Sequence, residues 1–273
     1  MKHEIKKYPV QHPLLKNYIK FFWEIHIKDM QLNHKLIPQR NINLRFNLSL
    51  TPQYLCLNGK EHLLESVFFS GLQDHFNNAY LKLNGRVDML GVCFLPEGFF
   101  PLLNIPVSEF KNQLLGADDV GFKPARIISE RLMEAPDVAA RLYILENELA
   151  LLLDNGTQTP QSFRQLFKAL DQSHNPLQIS EFCQRNNIGM RKLERMYNKY
   201  VGVSAKTYCT LNRFQNSLNQ VLYDIYFKLS DIAYGNGYFD QMHFIKDFKR
   251  FAGNTPKNFV HQNNSILQIG KLT

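Results

Sequence analysis

Two stretches in the C-terminal half carry side chains suited to touching the edges of base pairs. Arg191, Lys192, Glu194 and Arg195 make the first set, and Gln241, Met242, His243 and Lys246 the second. Arginine and lysine donate to guanine, glutamate accepts from cytosine, glutamine pairs with adenine, and an apolar methionine lies against a thymine methyl. Such groups read a sequence only when a rigid element carries them into a groove.

The elements that would carry them are written twice. Ile179-Ser180-Glu181-Phe182-Cys183 with Leu193, Tyr197, Gly202, Ser204 and Tyr208 matches Leu229-Ser230-Asp231-Ile232-Ala233 with Phe244, Phe248, Gly253, Thr255 and Phe259; the offset is 50 at first and 51 afterwards. Each copy predicts a short helix, a turn, a second helix and a glycine stop. In the first copy, helices over 178–185 and 190–199 flank the turn Asn186-Asn187-Ile188-Gly189, and Leu193, Met196, Tyr197 and Tyr200 form the buried face. In the second, residues 229–235 support, Gly235 to Tyr238 turn, and Asp240 caps a helix that runs to Arg250 with Phe244, Phe248 and Phe251 inward. Both base-reading sets are left on outer faces. Lys199, Lys206, Lys249, Arg250 and Lys257 are placed for phosphates, which fix register without reading sequence. Between the copies, Ser204 to Tyr223 has helical apolar spacing with no Pro or Gly. A helix of about 20 residues spans ~30 Å, close to the ~34 Å of one DNA turn.

Charge supports this reading. Residues 1–159 hold 17 Lys+Arg against 17 Asp+Glu, whereas residues 160–273 hold 15 against 7, so the whole excess of +8 lies with the repeat. Concentrated positive charge is the footprint of a nucleic-acid-binding domain. The polar stretch from Asp154 to Ser162, with Gly156 and Pro160, coincides with the shift and reads as a linker.

Upstream, residues 1–120 read as strands and turns. Asn41 to Leu50 alternates polar and apolar residues, Ser66 to Ser70 and Met89 to Leu95 look like further strands, and Pro96-Glu97-Gly98 stops the last. Leu14 to Trp23 has the apolar spacing of a helix, as does a short segment from Gly98 to Leu103. From Lys123 the period is helical; Val138, Leu142, Leu145, Leu149 and Leu152 make a stripe over two heptads. That stripe either packs on its own domain or pairs two subunits, and two heptads are fewer than a coiled coil needs.

Other classes of protein find little here. A content of 44% hydrophobic and 21% charged residues excludes a disordered chain. No apolar run approaches the ~18 residues of a membrane span, and no signal-peptide core follows Met1, so the cytoplasm is the expected compartment. Cys56, Cys93, Cys183 and Cys209 have no metal or disulfide spacing and read as packed thiols. Phosphate-loop, HExxH and GxSxG motifs do not occur. Asp118-Asp119 reads as a solvated turn, and Phe21, Phe22 and Trp23 as core rather than an effector pocket.

The segment from Gly237 through Phe248-Lys249 to Gly253-Asn254-Thr255-Pro256 resembles the signature of the AraC/XylS family of bacterial transcription regulators. Arg191 to Tyr197 with Gly202-Val203-Ser204 resembles the family's first unit, and the likeness covers about 165–262. It implies specific base contacts on Arg191, Glu194 and Arg195, with second-unit contacts on Gln241, Met242, His243 and Lys246. Departures are Gly189 where a Ser/Thr cap is usual, Ala205 where Pro is common, and Met242-His243 in place of Ser-Tyr. His12 to Ile19 followed by Trp23, and Gly91 to Pro96 followed by Gly98 to Leu103, resemble a sensor domain of Bacteroidetes-type regulators. Pro38-Gln39-Arg40-Asn41 departs from the Pro-Asp-Gly turn expected there.

The expected fold is an α+β, β-rich domain over 1–155, with a mixed or barrel-like sheet, then an all-α domain over 163–262 with two helix-turn-helix units. The expected function is sequence-specific, effector-responsive transcription regulation, as an activator or a repressor. It has no catalytic residue, cofactor or metal. Its partners are double-stranded DNA, RNA polymerase, a small-molecule effector and a second copy of the chain, with no membrane. Two alternatives stand beside it: a DNA-repair methyl-transfer protein carrying the same module, and a DNA-binding protein whose first half only assembles.

Overall fold

The computed structural model describes residues 5–29, 31–57, 59–153, 159–172, 179–223 and 228–262. Its first half is built on two antiparallel sheets. One has six strands in the order β1 (Lys6–Tyr8), β2 (Ile19–Ile27), β9 (Val87–Phe94), β4 (Asn43–Asn47), β7 (Val67–Ser70) and β10 (Leu114–Gly116). The other runs β3 (Gln31–Lys35), β8 (Tyr80–Asn84), β5 (Tyr54–Leu57) and β6 (Lys60–Leu63). Every pairing among the described residues is antiparallel, so the sheets are a sandwich rather than mixed. Trp23, Ile25, Phe68 and Met89 of the larger sheet meet Leu81 and Leu83 of the smaller in one buried cluster.

The larger sheet is buried on its other face too. Leu44, Phe46, Phe69, Val92 and Phe94 pack under α1 (Phe99–Leu103), α2 (Ala125–Glu134) and α3 (Val138–Ala150), joined by Phe99, Ile128, Leu132, Leu145 and Leu149. Leu145 and Leu149 are fully buried, and Leu142 and Leu152 pack on the same core. The leucine stripe therefore serves its own domain.

Leu14 to Trp23 is not a helix. Leu15–Asn17 makes one 3-10 turn, and the chain then enters β2, paired with β1 on one side and β9 on the other. A register shift between Ile19 and Phe21, and apolar contact on both faces, erase the period-2 alternation. The run of Ile and aromatic side chains, which favours a pleated surface, was the better signal.

The second half is helical: α4 (Gln161–Asp171), α5 (Ile179–Arg185), α6 (Met190–Tyr200), α7 (Ala205–Tyr223), α8 (Leu229–Gly235), α9 (Gln241–Ala252) and α10 (Pro256–Gln262). Linker residues 154–158 and the expected helix start at 178 lie outside the described residues. Phe163 and Phe167 of α4 stack against Tyr197 and Tyr200, so α4 belongs to the core of the first repeat. Phe214 of α7 packs on Phe248 and Phe251 of the second. The unbroken α7, 19 residues long and ~28 Å by its rise, is the shared spine.

Candidate nucleic-acid interface

Both repeats form helix-turn-helix units, α5–α6 and α8–α9. Asp240 caps α9, its Oδ1 accepting from the His243 N–H at 2.7 Å. Gly189, at the same position of α6, has extended backbone and no side chain to cap with. In both units the stop is a glycine in the left-handed region, Gly202 at φ 82° and Gly253 at φ 75°.

Of the first set, Arg191, Lys192 and Arg195 stand exposed on α6. Glu194 is placed elsewhere: half-buried, it accepts from the Ala205 N–H at 3.3 Å and so caps α7. Of the second set, Gln241, Met242 and Lys246 are exposed on α9, Met242 to 70%. His243 leans back, its ring edge on Tyr238 and its Nε2 3.7 Å from the Asp247 carboxylate. Exposed Tyr234 and Phe239 flank this unit, and sequence reading missed them.

Beneath α9, Arg213 of the spine donates to Asp247 at 3.0 Å and to the Gly237 carbonyl at 3.3 Å, with its guanidinium 4.1 Å from the Tyr238 ring centre. Both partners of this pair are largely buried. It orients the second reading helix from α7. Burial pushes the Tyr238 hydroxyl up to about 12, against the opposing charge of Arg213.

Among the phosphate candidates, Lys206, Lys249 and Lys257 are exposed. Lys199 and Arg250 are engaged by the N-terminal half. The Lys199 ammonium lies 5.5 Å from the Phe100 ring centre, and Arg250 donates to the Asp74 carbonyl while its own carbonyl accepts from Phe76 N–H.

These contacts belong to a larger clamp. A Cβ added at Gly202 would lie 2.6 Å from Val107, and one at Gly253 would lie 2.5 Å from Phe76, so the N-terminal half leans on both glycine stops. Lys35 donates to the Ala252 carbonyl at the end of α9. The loop after β3 grips the spine: Gln215 donates to the Pro38 carbonyl at 3.0 Å, and Arg40 donates to Asp171 at 2.8 Å, to the Tyr208 hydroxyl and to Asn212. The first half thus touches the C-terminal ends of both reading helices. Their N-terminal halves remain open.

All four cysteines are buried free thiols, and burial pushes Cys93 and Cys209 up to about 12. Among the described residues no cluster of His, Cys, Asp or Glu could hold a metal, and no helix is long and apolar enough to cross a membrane.

Residues 182–262 match a family described as a helix-turn-helix domain, and residues 10–116 match a domain of unknown function, DUF6597. The chain is thus a DNA-binding transcription regulator, with an AraC/XylS-type helix-turn-helix domain at its C-terminal end. No curated protein matches the chain. Solved structures with a similar course include an apo variant of ToxT from Vibrio cholerae strain SCE256, at 11% identity and TM-score 0.48 over 88% of this chain and 97% of that one. ToxT from Vibrio cholerae O395 gives 11% and 0.47 over 92% and 100%. A xylose-binding transcription activator, XylR, gives 15% and 0.33 over 46% and 40%.

Proposed function

We propose that the protein is an effector-responsive, one-component regulator, with residues 1–155 as sensor and residues 163–262 as promoter-binding domain. Arg191, Lys192 and Arg195 read bases in one major groove, and Gln241, Met242 and Lys246 in the next. Lys206, Lys249 and Lys257 hold phosphates. Glu194, His243, Lys199 and Arg250 serve the fold and the clamp instead. RNA polymerase is the further partner and the cytoplasm the compartment. The observation that carries this reading is the open N-terminal half of each reading helix, opposite ends that the first half holds.

Gel-shift titrations at several salt concentrations, on promoters found by genomic footprinting, test it. Arg195→Ala should cost ~1–3 kcal/mol and relax preference at one base pair. Lys249→Ala should weaken all sequences alike and reduce the salt slope by about one. Unchanged binding in both variants refutes the assignment of contacts. The methyl-transfer alternative needs an accessible thiolate, which the burial of all four thiols disfavours.

A further inference from the structure

The second copy of the repeat carries one residue more than the first, and backbone hydrogen bonds locate it. In the first unit the N–H groups of Asn186, Asn187 and Ile188 donate to the carbonyls of Phe182, Gln184 and Cys183. In the second, Asn236, Gly237 and Tyr238 donate in the same way to Ile232, Tyr234 and Ala233, every residue 50 positions further on. Asn187 and Gly237 share the left-handed region, at φ 48° and 71°. At the helix starts the offset is 51: Leu193 N–H donates to the Gly189 carbonyl, and Phe244 N–H to the Asp240 carbonyl. Tyr238 therefore stands for Ile188 and Asp240 for Gly189. Phe239 is the inserted residue.

The core does not absorb the insertion. In the first unit Ile188, directly before the cap position, is buried in one cluster with Leu193, the apolar pairing that fixes how a chain enters a helix. In the second unit Tyr238 takes that place, buried with its ring centre 5.2 Å from that of Phe244. Phe239 is left 79% exposed, directly before Asp240. One exposed apolar side chain is ordinary on a protein surface. Here Met242, three positions on in the first turn of α9, is exposed as well, with Gln241 and Lys246 on the same helix. Both nearby acids are occupied: Asp240 accepts from the His243 N–H, and Asp247 from Arg213.

We propose that Phe239 is a specificity-determining residue that packs, beside Met242, against thymine methyl groups in the major groove. This rests on the reading that α9 enters that groove. The N-terminal end of a recognition helix is the part that reaches base edges. Among those edges the apolar group is the C5-methyl of thymine, and phenyl rings are among its usual contacts. A phenyl ring has no donor or acceptor, so it separates thymine from cytosine by the methyl and gains by shedding water. The first unit lacks the insertion and presents Arg191 at the position of Met242, a side chain suited to guanine. The two reading helices thus differ in chemistry: one is cationic, and the other starts with an apolar pair.

The test uses the full chain and a promoter duplex found by genomic footprinting, in gel-shift titrations. Each thymine of the second unit's half-site is replaced in turn by deoxyuridine, which removes the methyl and keeps the hydrogen-bonding edge. At one position or more, deoxyuridine should weaken the wild type about 4-fold, the effect of one buried methyl. Phe239→Ala should weaken the thymine duplex about 4–10-fold and bind it no better than the deoxyuridine duplex at that position. Phe239→Leu should keep most of the preference. The ring is exposed, so Tm should be unchanged in both variants. The proposal is overturned if no deoxyuridine costs the wild type affinity, or if every such cost is the same in Phe239→Ala. It is also overturned if Phe239→Ala binds the duplex like the wild type but transcribes less with RNA polymerase, since the ring then meets a protein. Gln241→Ala and Lys246→Ala separate the failures. If they weaken binding and Phe239→Ala does not, the thymine contact alone falls; if none of the three does, the reading that α9 enters the groove falls with it.

Discussion

Arg40→Ala probes the clamp that joins the two halves. The Arg40 side chain is 16% exposed and donates to Asp171, Tyr208 and Asn212, residues 131 to 172 positions away. A charge-assisted hydrogen bond contributes ~1.5–3 kcal/mol. Asp171 keeps 31% of its side-chain exposure, so solvent screening moves the figure toward the lower end. After truncation Asp171 still accepts from the Tyr208 hydroxyl at 2.8 Å and from Asn212 at 3.3 Å, so its carboxylate is not stranded. The expected loss is ~2 kcal/mol, lowering Tm by ~4–8 °C. Urea titration gives the free energy, and hydrogen exchange should quicken in α4 and the first half of α7 while the two sheets keep their protection. A cycle with Asp171→Asn should give a coupling of ~1–2 kcal/mol. A loss below ~0.5 kcal/mol, or no coupling, refutes the clamp as a source of stability.

Two other predictions concern sites where the sequence departs from habit. Gly189 has extended backbone and open space where a Cβ would stand, so Gly189→Ser should cap α6 and raise stability by ~0.5–1 kcal/mol; a lower Tm in thermal unfolding would count against it. His34 is depressed from 6.5 to about 3, so its neutral form contributes stability above pH 6.5 that is lost as pH falls toward 3. His34 alone should contribute ~1.4 kcal/mol per pH unit to the loss in that window, and His34→Leu should remove that part of the slope in urea titrations at stepped pH; equal slopes refute the burial of a neutral ring.

Much of the DNA-reading half was legible from its residues alone, because its signals are local. A 3.6-residue period, a capping Asp240 and glycine stops each act within a turn or two of the chain, and duplication made them readable twice. Local charge likewise singled out Arg191, Lys192 and Arg195, which stand exposed on α6. The first half was less legible: Phe21, Phe22 and Trp23 place apolar side chains on both faces at the start of β2, which breaks the alternation that marks a strand.

Tertiary structure decided which polar residues are spent inside. Glu194 sits on the helix that carries Arg191 and Arg195, and no spacing separates it from them; the start of α7, elsewhere in the fold, draws it away. Arg40 and Arg45 look alike in sequence, five positions apart. One meets a carboxylate on a distant helix, and the other enters the sandwich, where no carboxylate among the described residues pairs with it. Burial and pairing depend on partners on other elements, from 11 positions away for Glu194 to 172 for Arg40, and such contacts leave no period in the chain that makes them.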